Sequence, residues 1–160
     1  PPVYFAANSD GQLVKLKPLS DPVYKDEQVS GWVTRAIPNI LQINFMQFRR
    51  QMQTSKGYFT SFGWGQFMKS FQPQLQQIID QKLTATGVVS GVPIVTEQLL
   101  LKGVFSWYVQ VPVTITFEGG NQMSTTKTFV WKILLSRVDN RKSSQLLGIQ
   151  QVVVTPYTGS

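Results

Sequence analysis

The sequence predicts an α+β fold, with N-terminal helices packed on one face of a curved antiparallel sheet. Two observations carry the prediction. Up to about Leu83 apolar residues recur at helical spacing, and beyond it they alternate with period two. Turn-forming clusters then divide the second half into strands, with no helical segment between them to serve a parallel crossover.

The elements follow in order. Residues 1–20 read as an extended arm, with Tyr4–Ala7 and Leu13–Leu16 flanking the turn cluster Asn8-Ser9-Asp10-Gly11. Residues 21–160 read as one domain, since neither a repeat nor a low-complexity linker divides them. Asp21-Pro22 marks a break before the first helix, in which Val29, Trp32, Val33, Ala36, Ile37, Ile40 and Leu41 form one apolar stripe. Pro38 leaves the Thr34 carbonyl without its helical partner, which predicts a kink or stop near Ile37. Asn44–Gln47 has the form of a capping box for a second helix, with Phe45, Phe48 and Met52 inward and Arg49 and Arg50 outward. Ser61 is placed to cap a third helix carrying Trp64, Phe67, Met68 and Phe71. Pro73 suits the first turn of a fourth, with Leu75, Ile78, Ile79 and Leu83 inside.

In the second half, Ala85–Val95 is strand-like and interrupted by Gly87, Gly91 and Pro93. Trp107 to Phe117 alternates cleanly, and Pro112 on its polar side predicts an edge position or a bulge, because proline cannot donate to a ladder. Glu118–Asn121 turns into a strand over Thr126–Arg137. Asp139–Ser143 turns again, and Leu146–Val154 closes a meander.

Composition narrows the chemistry. With 42% apolar and 14% charged residues in 160, the chain can bury a substantial core without help from metals or disulfides. It has neither Cys nor His, which excludes a disulfide framework, thiol catalysis, Cys-ligated zinc and a His-based triad. The net charge is +7, but the basic residues are scattered, with adjacent pairs only at Arg49-Arg50 and Arg141-Lys142. That scatter argues against a dedicated nucleic-acid surface. No run of about 18 apolar residues is present to span a bilayer.

The acidic residues fall in turns or first helical turns, apart from Asp80 and Glu97, and Asp80 points off its apolar stripe. No catalytic, cofactor-binding or metal site emerges. Gly63-Trp64-Gly65 lacks the lysine and hydroxyl of a phosphate loop, so Trp64 reads as a core residue between glycines that permit close packing. The candidates for partner binding are Arg49, Arg50 and Gln53 on the second helix, with Tyr24 and Tyr58 as exposed aromatics and Phe59 beside them.

Pro2–Ala6, Asp10-Gly11, Pro18–Ser20, Gly31–Val33, Phe45–Gln51, Tyr58–Thr60 and Gly63-Trp64 together resemble the DotI/IcmL/TraM family, inner-membrane components of type IVB secretion and conjugation systems. The resemblance implies a periplasmic domain that follows a membrane helix upstream of Pro1. It implies a cone of the nuclear-transport-factor-2-like kind, no cofactor, and a role in assembly through self-association and contacts with other apparatus proteins. A small-molecule binder or enzyme on the same cone is the alternative, and direct binding of transferred DNA a third reading. An interior filled by Trp32, Trp64, Phe67 and Trp131 favours docking over a ligand pocket.

Overall fold

A computed structural model of the chain describes residues 4–7, 13–121, 123–139 and 146–158, with the side chains of 4–7 and 13–16 left aside. The cluster Asn8–Gly11 and most of the turn after Asp139, with Arg141 and Lys142, lie outside these residues. Two short strands, β1 (Tyr4–Ala7) and β2 (Leu13–Leu16), pair with each other antiparallel. Three helices follow: α1 (Asp26–Ile40), α2 (Phe48–Lys56) and α3 (Ser61–Asp80), with the three-residue strand β3 (Gln42–Asn44) between the first two. The second half is β4 (Thr84–Val89), β5 (Ile94–Leu101), β6 (Val104–Glu118), β7 (Ser124–Arg137) and β8 (Leu147–Pro156).

These strands form one antiparallel sheet in the order β3-β4-β6-β7-β8, with β5 joined to β6 beyond the end of β4. The alternation read in β6 is what the sheet uses: Trp107, Val109, Val111, Val113 and Ile115 are buried. So is the whole α1 stripe from Val29 to Leu41. Helix and sheet thus bury the two faces that their periods assign.

Prolines account for most departures from the sequence reading. Pro38 does not stop α1, which continues to Ile40. It sits in the exposed last turn, where few ladder bonds remain to be lost. Pro73 does not begin a helix: the third and fourth predicted helices are one, and Pro73 lies on its exposed face. Pro112 lies in the central strand β6, opposite Val130 of β7, with the register unbroken. Its carbonyl accepts from the Ser90 N–H at 3.0 Å, so its nitrogen also faces that side. There β4 has ended and β5 has not begun, and no ladder donor is needed.

Local capping differs too. Asn44 belongs to β3 and not to a capping box. Its side chain accepts from the Met46 N–H at 2.9 Å and donates to Thr84 Oγ1 at 2.8 Å, tying the chain to β4 before α2 begins. Thr60, not Ser61, caps α3, accepting the Gly63 N–H at 2.9 Å. Strand β5 extends well past the predicted Ala85–Val95 segment, with a bulge between Val95 and Glu97.

Two fastenings fix the layers. Arg137, buried at the end of β7, donates from Nη1 to the carbonyls of Pro18 and Asp21 and holds the segment before α1 against the sheet. Burial lowers its pKa from the ordinary value, while Asp21, Tyr24 and Asp139 oppose that fall. At the other fastening, Thr60 donates its N–H to the Ile149 carbonyl at 3.0 Å and Ile149 donates to the Tyr58 carbonyl at 2.9 Å. The first turn of α3 then presses on β8: a Cβ on Gly63 would lie 1.9 Å from the Ile149 carbonyl oxygen. Gly65 meets nothing within 4 Å, so only the first glycine of the pair serves close packing. Gly63→Ala is expected to destabilise the domain by about 2 kcal/mol through overpacking against rigid backbone, and Gly65→Ala to leave it equally or more stable. Urea denaturation of the two variants checks the contrast.

Candidate functional site

Beyond the Gly63 contact, α3 and the concave face of the sheet do not close. They bound a groove of about 530 Å³. One wall is α3, through Gln66, Phe67, Ser70, Phe71 and Gln74. The floor comes from Ile115 and Phe117 of β6 with Phe129 and Trp131 of β7, and Leu41, Ile43 and Ala85 close one side. The opposite side is β8, through Gln151–Val154. The expectation that aromatic side chains fill this space is corrected. Trp32 is buried in the core against Tyr58, and Phe67 and Trp131 line the groove instead of plugging it.

An aromatic chain holds the wall in place. Phe59 meets Trp64 edge-on at 5.3 Å and Phe67 at 4.8 Å. Phe67 stacks on Phe71 at 5.2 Å and touches Trp131 at 6.1 Å. Offset and tilted rings at these distances favour a fixed geometry beyond their area burial. The groove is therefore a preformed apolar surface with neutral amide and hydroxyl groups at its rim.

None of its lining residues is charged. Asp80 lies exposed at the far end of α3 and accepts from Gln76 at 2.8 Å, and Glu97 is exposed on β5. Neither converges on the groove. Among the described residues no cluster of three potential metal ligands occurs, and no helix is long and apolar enough to cross a membrane. A second, more polar depression at the same end of α3 is bounded by Gln74, Gln77, Gln81, Asn121, Thr125 and Lys127.

The predicted partner-binding residues lie elsewhere and do not form one patch of like character. Arg49, Arg50 and Gln53 are exposed on α2 as read, with Arg49 4.7 Å above the Phe48 ring and Arg50 donating to Gln47 Oε1 at 2.9 Å. Tyr24, Tyr58 and Phe59 are half-buried against the core and not the exposed aromatics expected, because the segments joining the elements fold back onto it. Sequence reasoning missed the groove. Its residues look like core positions, and nothing in their own segments shows that α3 leaves them uncovered.

The chain can now be set beside known proteins. A family profile described as a type-IV b secretion system inner-membrane complex component, DotI/IcmL, matches residues 1–156. A solved periplasmic domain of DotI is 31% identical, covering 84% of this chain and 97% of that one, with a TM-score of 0.78. A periplasmic fragment of TraM superposes with a TM-score of 0.75 at 20% identity, covering 84% and 99%. CagV of Helicobacter pylori strain 26695, a VirB8 homologue of a type IV secretion system, does so at 0.64 and 11%, covering 81% and 98%; it shares the fold. No curated protein matches in sequence. The chain belongs to the DotI/IcmL family, and its helices on a curled antiparallel sheet are the cone shared with VirB8-like proteins.

A preformed groove of this kind has a simple test. N-phenylnaphthylamine, a neutral apolar dye, is expected to gain fluorescence on binding, and Ser70→Trp, which places a ring at the rim, to abolish the gain without lowering the melting temperature. An unchanged dye response in that variant would place the bound dye elsewhere.

Proposed function

We propose that this member of the type IVB inner-membrane complex family acts in the periplasm as a non-catalytic assembly component, by self-association and by docking to other apparatus proteins. The observation that carries the reading is the character of the groove. It is large enough to receive a neighbour and contains no titratable group to activate water or a substrate. The family supplies the setting, a type IV secretion or conjugation machine at the inner membrane.

Two surfaces suit different neighbours. Arg49, Arg50 and Gln53 project from α2 and would meet an acidic partner, steering it at long range. The groove would take an apolar one at short range. Tyr24 and Tyr58 are half-buried against the core, Tyr58 meeting Trp32 edge-on at 5.9 Å, and offer such partners little surface of their own. A second reading, a small-molecule binder on the same cone, is favoured by the groove volume, which lies within the roughly 300–1,000 Å³ of ligand pockets. The uncharged rim suits an apolar ligand and not a charged metabolite.

In cells expressing the full-length protein with its apparatus, Arg49→Glu with Arg50→Glu is expected to reduce crosslinking to neighbouring components several-fold. The folded domain should keep its stability within about 0.5 kcal/mol, as an exposed helix face allows. Full crosslinking and transfer in the double variant would remove α2 from the docking surface. Full transfer after deletion of the whole domain would sink the assembly reading.

A further inference from the structure

We propose that the outer edge of β8 receives an extended, uncharged segment of a partner protein, which adds to the sheet as another strand and sets alternate side chains into the groove. This deepens the docking reading above and rests on it.

The argument begins with the groove wall. Gln151, Val152, Val153 and Val154 all line it, yet only alternate side chains of a strand can face one side. The strand therefore contributes its edge as well as its concave face. Which groups the edge offers follows from alternation. Tyr157 donates its N–H to the Thr128 carbonyl of β7 at 3.3 Å, and the register from Gln151 to Pro156 is unbroken. Residues 151, 153 and 155 thus turn their backbone groups toward β7, while Val152 and Val154 turn N–H and C=O outward. Among the described residues, no backbone or side-chain group bonds to those outward groups.

Just upstream, the same edge is already occupied. Tyr58–Thr60 pairs with Ile149 as a parallel bridge, through bonds of 2.9 and 3.0 Å. An incoming strand would continue a ladder that the chain itself starts. The other edges carry the usual guards against such pairing. Strand β3 has three residues, and β5 has a bulge together with Glu97 and, in its turn, Lys102. From Gln151 to Thr155, β8 has no bulge, charge or proline.

Charge selects the occupant. In a chain of net charge +7 the groove wall and floor carry no charge at all. A charged segment would be desolvated there without a counter-ion, whereas Gln66, Ser70 and Gln74 can satisfy a neutral backbone. A second copy fits less well, because two β8 edges paired about a two-fold axis would bring both α3 helices onto one face over the shared edge.

The probe is a capped, fluorescently tagged seven-residue peptide alternating valine and threonine, titrated onto the whole chain. It is expected to bind and to slow hydrogen exchange at the Val152 and Val154 amides. Val154→Pro removes one outward donor and no ladder bond, and should weaken binding about tenfold, while Val154→Thr should not. A twin peptide N-methylated on the amides that would face β8 should not bind, whatever the behaviour of the proline variant. Equal binding by Val154→Pro and the parent, or no binding of the unmethylated peptide, overturns the proposal. So does protection of the same amides that rises with protein concentration in the absence of peptide, which would assign the edge to a second copy. If the peptide fails while the full-length protein still crosslinks to its apparatus, docking stands and only its place at β8 is lost.

Discussion

The first turn of α3 lies so close to β8 that only a hydrogen atom fits between Gly63 and the Ile149 carbonyl. Around that point Thr60 caps the helix with its side chain and bonds to β8 with its main chain, so one residue fixes both the start of the helix and its distance from the sheet. Gly148 reinforces the approach, since a Cβ there would meet Thr60 at 3.0 Å. Beyond that pin the helix and the sheet leave the groove open between them.

The two main helices therefore do different things with the same concave face. Helix α1 is clamped between sheet and α2, and six of its side chains are buried. Each of the Val and Ile side chains among them contributes roughly 1.5–3 kcal/mol by leaving water, so this half of the cone holds much of the core. Helix α3 buries Phe67, Leu75 and Ile78, but leaves Trp64, Met68 and Phe71 half-covered. What keeps the open half from collapsing is ring packing from Phe59 through Phe67 to Phe71 and Trp131, which braces the wall without filling the space.

This division explains what could be read from the sequence. The α1 stripe and the alternation of β6 and β7 are local signals, and the fold class followed from them. The prolines misled because their effect depends on what lies opposite. Pro112 is harmless only because β4 ends and β5 begins beside it. Pro73 is tolerated because it lies on the outer face of a helix held by packing on either side of it. Phe117, Phe129 and Val152 have the pattern of core residues, and nothing within their own segments distinguishes a covered concave face from an uncovered one. The groove is bounded by segments far apart in the chain, and the nearby Gly63–Ile149 approach joins positions 86 residues apart by number. Arg49 and Arg50 were legible because outward placement on a helix is a local matter.

The resulting surface separates two kinds of recognition. Exposed cations on α2 act over about 8–10 Å and are weakened by salt, so in the proposed docking they would set how partners approach. Under the docking proposal, the neutral groove and the edge beside it would act only on contact, through water release and directional backbone bonds, and so set which partner stays. A component of a large assembly gains from keeping these apart. Charge can draw a neighbour from either side of a crowded periplasm, while a seat without charge rejects any chain that would have to bury an unpaired ion. An open strand edge is an aggregation hazard in a free protein. Here Pro156 ends the run of outward donors after Val154, which keeps the open stretch short.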